Sequence, residues 1–242
     1  MKNKKQYPTQ RIIPFLVLIA CVFGIQNINA NISTITSDTK EFSVTGQDTE
    51  PFETQFSATG NKMYVLGYNT DTVYQYTLST PWDVSTASYD TVNFSVNAQE
   101  SVPEGMFFKP DGTTMYIVGV SGDRAFQYTL STPWDLSTAS YASKSSPSNS
   151  ANDNTTVKVH FNSDGSKMYL TGFINSRIYQ YTLSTPWDVS TATYDSVSGS
   201  ISQSSNSYAS TFSHDGKKVF AVSPSDVIYQ YTPLYSLGHF HH

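Results

Sequence analysis

Three tryptophans stand in one repeated setting. Ser-Thr-Pro-Trp-Asp occurs around Trp82 and Asp83, Trp134 and Asp135, and Trp187 and Asp188. An indole face beside a carboxylate can stack on a sugar ring and hydrogen-bond its hydroxyls, so these six residues are the candidate ligand-binding set. The same pentapeptide has a structural use. Its Thr can cap a short helical turn, with Pro at the first helical position and Asp at the third, which fixes the direction of the Trp.

A second set is acidic. Asp48, Glu100 and Asp153 each follow an amide residue (Gln47, Gln99, Asn152) at the same distance from a later Phe. Three like charges gathered at one place call for a cation, a basic partner or water, so these acids are candidate ligands for a metal such as Ca²⁺. The plain alternative is solvated loop acids. No other cofactor is expected and no catalytic residue is assigned. His160 and His214 occupy non-equivalent positions, and the sole cysteine, Cys21, lies near the N-terminus.

The elements that must carry these residues follow from a repeat of about 52 residues. Phe56, Phe108, Phe161 and Phe212 each have a Gly four residues on, and Met63, Met115, Met168 and Val219 seven residues on. The segment between Phe and Gly predicts a tight hairpin turn, because Gly tolerates positive φ. After it come apolar, β-branched and aromatic runs, then Val73-Tyr-Gln-Tyr-Thr-Leu and its copies, then a fourth strand exemplified by Phe94-Ser-Val. Four antiparallel strands per unit, radially repeated, predict an all-β propeller of four blades. Phe42-Ser-Val matches Phe94-Ser-Val, yet no first three strands precede it, and the last unit has three strands up to Tyr231. The expected ring is closed by the N-terminal strand joining the last blade. The alternative is a half-ring that dimerises to eight blades.

Pro103-Glu-Gly-Met-Phe-Phe-Lys-Pro-Asp-Gly-Thr-Thr-Met-Tyr-Ile-Val resembles the YVTN and TolB-like β-propeller repeats, and the likeness runs from about Phe42 to Tyr231. That resemblance implies a propeller fold and several possible roles, lactonase and partner-binding module among them. The four units and the Thr-Pro-Trp-Asp insert depart from the family's common pattern of seven units.

The ends and the charge bound the rest. Lys2, Lys4, Lys5 and Arg11 precede an apolar run from Ile12 to Ile25 and a polar stretch to Ala30, which predicts a secretory signal peptide over 1–30, a propeller over 31–235 and a tail over 236–242. The apolar run is too short to span a bilayer, and no membrane span is expected after cleavage. Leu18-Ile19-Ala20-Cys21 also resembles a lipobox, against which the apolar Val22-Phe23 argues. Removing the leader's four basic residues from 14 Lys and Arg, against 19 Asp and Glu, leaves a formal charge of −9. Such a surface disfavours nucleic acid, whose binding rests on Lys and Arg. The reading from sequence is a secreted, periplasmic or cell-surface propeller, monomer or homodimer, that binds a protein, glycan or surface polymer without catalysis. Its alternative is a metal-dependent hydrolase of the lactonase type built on Asp48, Glu100 and Asp153.

Overall fold

The structure, a computed structural model, describes residues 38–204, 209–213, 216–222 and 227–233. The expected leader over 1–30, with Cys21, and the expected tail over 236–242 lie outside them, as does His214. The first blade comprises β1 (Pro51–Phe56), β2 (Lys62–Gly67), β3 (Thr72–Leu78) and β4 (Ala87–Ser95). The second comprises β5 (Pro103–Phe108), β6 (Thr114–Gly119), β7 (Phe126–Leu130) and β8 (Ala139–Ser145). The third comprises β9 (Thr156–Phe161), β10 (Lys167–Gly172), β11 (Arg177–Leu183) and β12 (Ala192–Ser200), and the fourth β13 (Ala209–Phe212), β14 (Val219–Val222) and β15 (Ile228–Tyr231). Each sheet is antiparallel in chain order, and the four are arranged as a propeller, as the repeat predicts.

Burial explains the strand composition. All six residues of β5 and of β6 are buried, whereas β4 and β8 carry no buried residue and lie at the rim. A strand covered on both faces needs an unbroken apolar run, while an edge strand facing water does not. The core accordingly sits between successive sheets. Tyr64, Leu66 and Val73 of the first blade pack with Met106, Phe108, Met115 and Ile117 of the second. Phe107, Tyr116 and Val118 of the second pack with Val159, Met168 and Leu170 of the third.

The first hairpin of each blade turns where the sequence predicts. Gly60, Gly112, Gly165 and Gly216 sit at φ 72°, 75°, 74° and 67°, a region an L side chain resists. A bulge marks the third pair of strands: Gln75 faces Val92 and Tyr76 faces Tyr89, so Asp90 and Thr91 have no opposite residue. The distortion aims the Asp90 carboxylate at the Gln75 amide (2.8 Å) and Lys62 Nζ (2.7 Å). The third blade repeats the device with Asp195, Gln180 and Lys167.

These tethers are a pH-sensitive part of the fold. Burial alone would raise the carboxyl pKa of Asp195, but bonds from Thr182, Gln180 and Lys167 outweigh it and hold the carboxyl below the ordinary range. A depressed carboxyl contributes stability that is present above its unfolded pKa of about 3.9 and is lost as pH falls through the lower folded value. The expected result is a smaller drop in Tm between about pH 5 and pH 3 for Asp195→Asn than for the parent. Equal drops in a thermal melt series would show that the tether contributes nothing.

One expectation is corrected. Among the described residues the fourth blade has three strands, and residues 38–48 do not pair with β15. Phe42 and Val44 pack instead against the first blade, beside Met63, Val65 and Tyr76.

Candidate functional site

The Trp-Asp connectors join the third and fourth strands, and their local geometry differs from the expected cap. Asp83 N–H donates to Thr80 O (3.1 Å), with Pro81 and Trp82 between them and Trp82 at φ 67°. Pro followed by a positive-φ residue is the pattern of a type II turn, in which Trp takes the place usually held by Gly. The cap is the Asp, not the Thr: Asp83 accepts from Ser85 N–H (3.1 Å) at the start of a 3-10 turn, and Asp135 and Asp188 do likewise with Ser137 and Ser190. Every Trp backbone N–H donates to the carbonyl of its blade's hairpin glycine at 3.0 Å. The indole then covers that glycine so closely that an added Cβ would lie 2.3–2.4 Å from the ring. Glycine is thus required here twice over, by φ and by the ring.

The three copies do not end alike. Trp82 is 45 % exposed, while Trp134 and Trp187 are half-buried against the preceding blade. Asp83 pairs with Lys40 at 2.7 Å and Asp188 with Lys144 at 2.6 Å. Among the described residues Asp135 has no lysine, because Val92 occupies the position in β4 that Lys144 occupies in β8; both face the blade's strand-three Gln. At the second connector the carboxylate is capped at one oxygen and, among the described residues, has no partner at the other.

That carboxylate lines a cavity of about 400 Å³ between the first two blades. Trp134, Pro133, Gln75, Lys62 and Asn61 share its wall. Gln75 spans the junction: its Nε2 donates to Asp90 and its Oε1 accepts from Leu136 N–H (2.8 Å). Lys62 donates to Thr77 Oγ1 and Asp90 Oδ2, each at 2.7 Å. An ammonium has three N–H donors, so one remains for a bound molecule. Burial would raise the Asp90 carboxyl, but bonds from Lys62, Thr77 and Gln75 outweigh it and hold the carboxyl below the ordinary range. The cavity thus brings together a cation, an amide, an indole and a free carboxylate.

The acids proposed for a metal are placed differently. Asp48, Glu100 and Asp153 are 3 %, 0 % and 2 % exposed and turn into their own blades. Asp48 accepts from Glu50 N–H (2.7 Å), Thr70 N–H (2.9 Å) and Thr70 Oγ1 (2.6 Å). Glu100 accepts from Val102, Ser121 and Gly122 N–H at 2.9–3.0 Å and from the Ser121 hydroxyl. Asp153 accepts from Thr155 (3.0 Å) and Asn175 (2.7 Å) N–H. Both oxygens of each are engaged in tying the loop that enters a blade to the loop between its second and third strands. Among the described residues no three His, Cys, Asp or Glu side chains are grouped to hold a metal. The donor set does not fit a Ca²⁺ ion in this arrangement.

Sequence reasoning missed the innermost polar contact. Lys158 of β9 reaches Glu53 of β1 at 2.5 Å and the Glu104 carbonyl of β5 at 3.2 Å, joining first strands from three blades. His160 beside it lies 2.6 Å from the Ser210 carbonyl, and burial lowers its pKa, so the neutral ring donates Nε2–H there. Lys62 with Asp90 also went unnoticed, although the signal was available. Lys-Gln-Asp recurs as Lys62, Gln75, Asp90 and as Lys167, Gln180, Asp195, while the second unit loses both charges together as Thr114 and Ala142.

No protein-family model matches the sequence, and no curated protein matches it. Solved structures do. A candidate 6-phosphogluconolactonase of Bacteroides uniformis shares 14 % identity with TM-score 0.51, covering 76 % of this chain and 54 % of its own. Another from Bacteroides fragilis shares 13 % identity with TM-score 0.55, covering 75 % and 50 %. The periplasmic gluconolactonase of Pseudomonas aeruginosa shares 12 % identity with TM-score 0.51, covering 75 % and 49 %. The chain thus spans about half the length of these propellers. The expectation of a non-enzymatic binding module is corrected by this set, whose names favour the lactonase-type alternative; at such identities the likeness itself establishes one thing, the β-propeller fold.

Proposed function

We propose that this chain is a hydrolase of the lactonase type that opens an uncharged sugar lactone in the cavity between the first two blades. The observation that carries the proposal is Asp135, the one connector carboxylate without a lysine among the described residues, facing the same cavity as Lys62, Gln75 and the Trp134 indole. The indole offers a face for the C–H side of a sugar ring, and Gln75 and Asn61 offer amide groups to hydroxyls. Asp135 takes a proton from water, whose oxygen attacks the lactone carbonyl. The free N–H of Lys62 stabilises the negative charge that develops on the carbonyl oxygen. Collapse breaks the acyl–oxygen bond of the ring, and the departing ring oxygen takes the proton back from Asp135; the aldonic acid so formed ionises to the aldonate and releases one proton to water. No step needs a metal at Asp48, Glu100 or Asp153.

The propellers of similar fold named for lactone hydrolysis support this reading, as does the YVTN and TolB-like character of the repeat, and the leader over 1–30 agrees with a periplasmic or secreted site of action. A single lysine at the cavity and an acidic chain favour a neutral lactone over a phosphorylated one. The test is proton release from D-glucono-δ-lactone and from its 6-phosphate, each above the spontaneous rate in buffer. Acceleration is expected for both, greater for the neutral compound; no acceleration of either would refute the proposal.

A further inference from the structure

The first two blade junctions are built from one set of contacts. Tyr64 OH donates to Trp134 O (2.5 Å) at the first, and Tyr116 OH to Trp187 O (2.7 Å) at the second. Gln75 accepts from Leu136 N–H (2.8 Å) and Gln127 from Val189 N–H (3.1 Å). Position by position, the two junctions can therefore be compared side chain against side chain.

They differ in charge. At the second junction Lys109 Nζ lies 5.9 Å from the centre of the Trp187 ring and 2.7 Å from Asp111, while Lys144 pairs with Asp188 at 2.6 Å. Two cations thus answer two carboxylates around that indole. At the first junction Ser57 holds the position of Lys109, and Val92 that of Lys144. Thr59 stands in for Asp111, so both lysines are lost and one of the two carboxylates with them. Lys62 and Asp90 replace Thr114 and Ala142 as a pair, 2.7 Å apart, and neutralise each other. What remains among the described residues is one uncompensated negative charge, on half-buried Asp135.

The space differs in the same sense. Ser57, Thr59 and Asp135 all line the cavity of about 400 Å³, a size within the roughly 300–1,000 Å³ of small-molecule sites. The long stem at position 109 has become a hydroxymethyl group, turned away to donate to Asn61 Oδ1 (2.9 Å). Room for a short carbon skeleton and the lack of one cation therefore coincide.

We infer that this cavity binds a molecule carrying a primary ammonium group. The ammonium pairs with Asp135 as Lys144 pairs with Asp188, and it lies beside the Trp134 ring as Lys109 Nζ lies over that of Trp187. A charge-assisted bond to a half-buried carboxylate and the attraction of a cation to an indole face both favour it over a neutral compound of the same shape. The group can arrive on an amino sugar or on the lysine side chain of a peptide. Binding needs no turnover, so the inference does not rest on the lactonase reading.

The experiment is isothermal titration calorimetry of the full chain with n-butylammonium, D-glucosamine and Nα-acetyl-lysine amide. Each is set against a neutral counterpart: 1-butanol, D-glucose and the Nε-acetylated amide. At least one ammonium compound should bind about tenfold or more tightly than its counterpart, and Asp135→Asn should weaken it by about the same factor. Val92→Lys, which supplies the missing lysine, should weaken it likewise, whereas Asp188→Asn should bind as the parent does; thermal melts check that each variant is folded. Tighter binding of glucosamine assigns an amino sugar, and tighter binding of the lysine amide assigns a peptide. Three results overturn the inference: no ammonium compound binds the parent, the neutral compounds bind equally well, or binding survives Asp135→Asn. Binding and lactone opening are read separately, so either can fail alone.

Discussion

Asp135→Asn is expected to lower kcat for lactone opening by about 10²–10⁴-fold, the range that a positioned general base contributes. The substitution isolates chemistry from folding for a reason visible in the connector. Asp135 caps the 3-10 turn through one oxygen, accepting from Ser137 N–H at 3.0 Å and from the Ser137 hydroxyl at 2.6 Å. Asparagine caps as well as aspartate does, so the turn and the position of Trp134 should persist. The repeat supplies its own controls. Asp83→Asn and Asp188→Asn make the same change where a lysine already neutralises the carboxylate, and kcat should stay as in the parent. Val92→Lys attacks from the other side, installing at the second connector the lysine that the third one has, and should quench the reaction by pairing Asp135. Steady-state rates for the four variants decide the matter. Full activity in Asp135→Asn would remove Asp135 as the base, and equal losses in all three Asn variants would point to structure instead.

Glu100→Ala should cost about 3 kcal/mol or more, while EDTA or added Ca²⁺ should leave the parent's Tm unmoved. The carboxylate is fully buried and accepts from three backbone N–H groups and a hydroxyl. Truncation leaves those donors without an acceptor inside the fold, at about 1–3 kcal/mol for each one that finds no water. The alanine also opens a void beside Gly119 and Gly122, whose backbones approach the Glu100 side chain closely. For a domain of this size about 3 kcal/mol corresponds to roughly 6–12 °C in Tm. Thermal melts of parent and variant, with and without EDTA, measure both halves. A Tm that rises with Ca²⁺ in the parent and not in Glu100→Ala would restore the metal reading that the bond pattern argues against.

The two predictions concern residues that sequence patterning singled out and to which the structure gives roles of unequal kind. Trp-Asp was legible as a repeated connector, and Asp-Gly as a hairpin turn, because local chain chemistry is enough to define both: a proline before a left-handed residue, and a glycine at positive φ. The cap within the connector is the Asp, three residues after the expected Thr, since Thr and Asp are both good caps and the choice depends on where the 3-10 turn begins. The acids at Asp48, Glu100 and Asp153 were found correctly as a repeated feature. Whether they face an axis or their own loops turns on side-chain direction, which spacing does not encode.

What the sequence determined by itself is the all-β class, the four-fold repeat and the strand order within each blade, because a period of about 52 residues with alternating apolar runs and glycine turns has few other solutions. What only the tertiary structure decided is which copy of a repeated motif is different. Asp135 is singled out by a valine 43 residues earlier in a neighbouring blade, and Lys62 reaches the cavity because a bulge holds Asp90 beside it. Residues 38–48 likewise look like an ordinary fourth strand, yet among the described residues they join no sheet, and Phe42 and Val44 pack on the first blade. Repetition tells which positions are equivalent; only the packing of one blade on the next tells where that equivalence breaks, since the partner that breaks it comes from another blade.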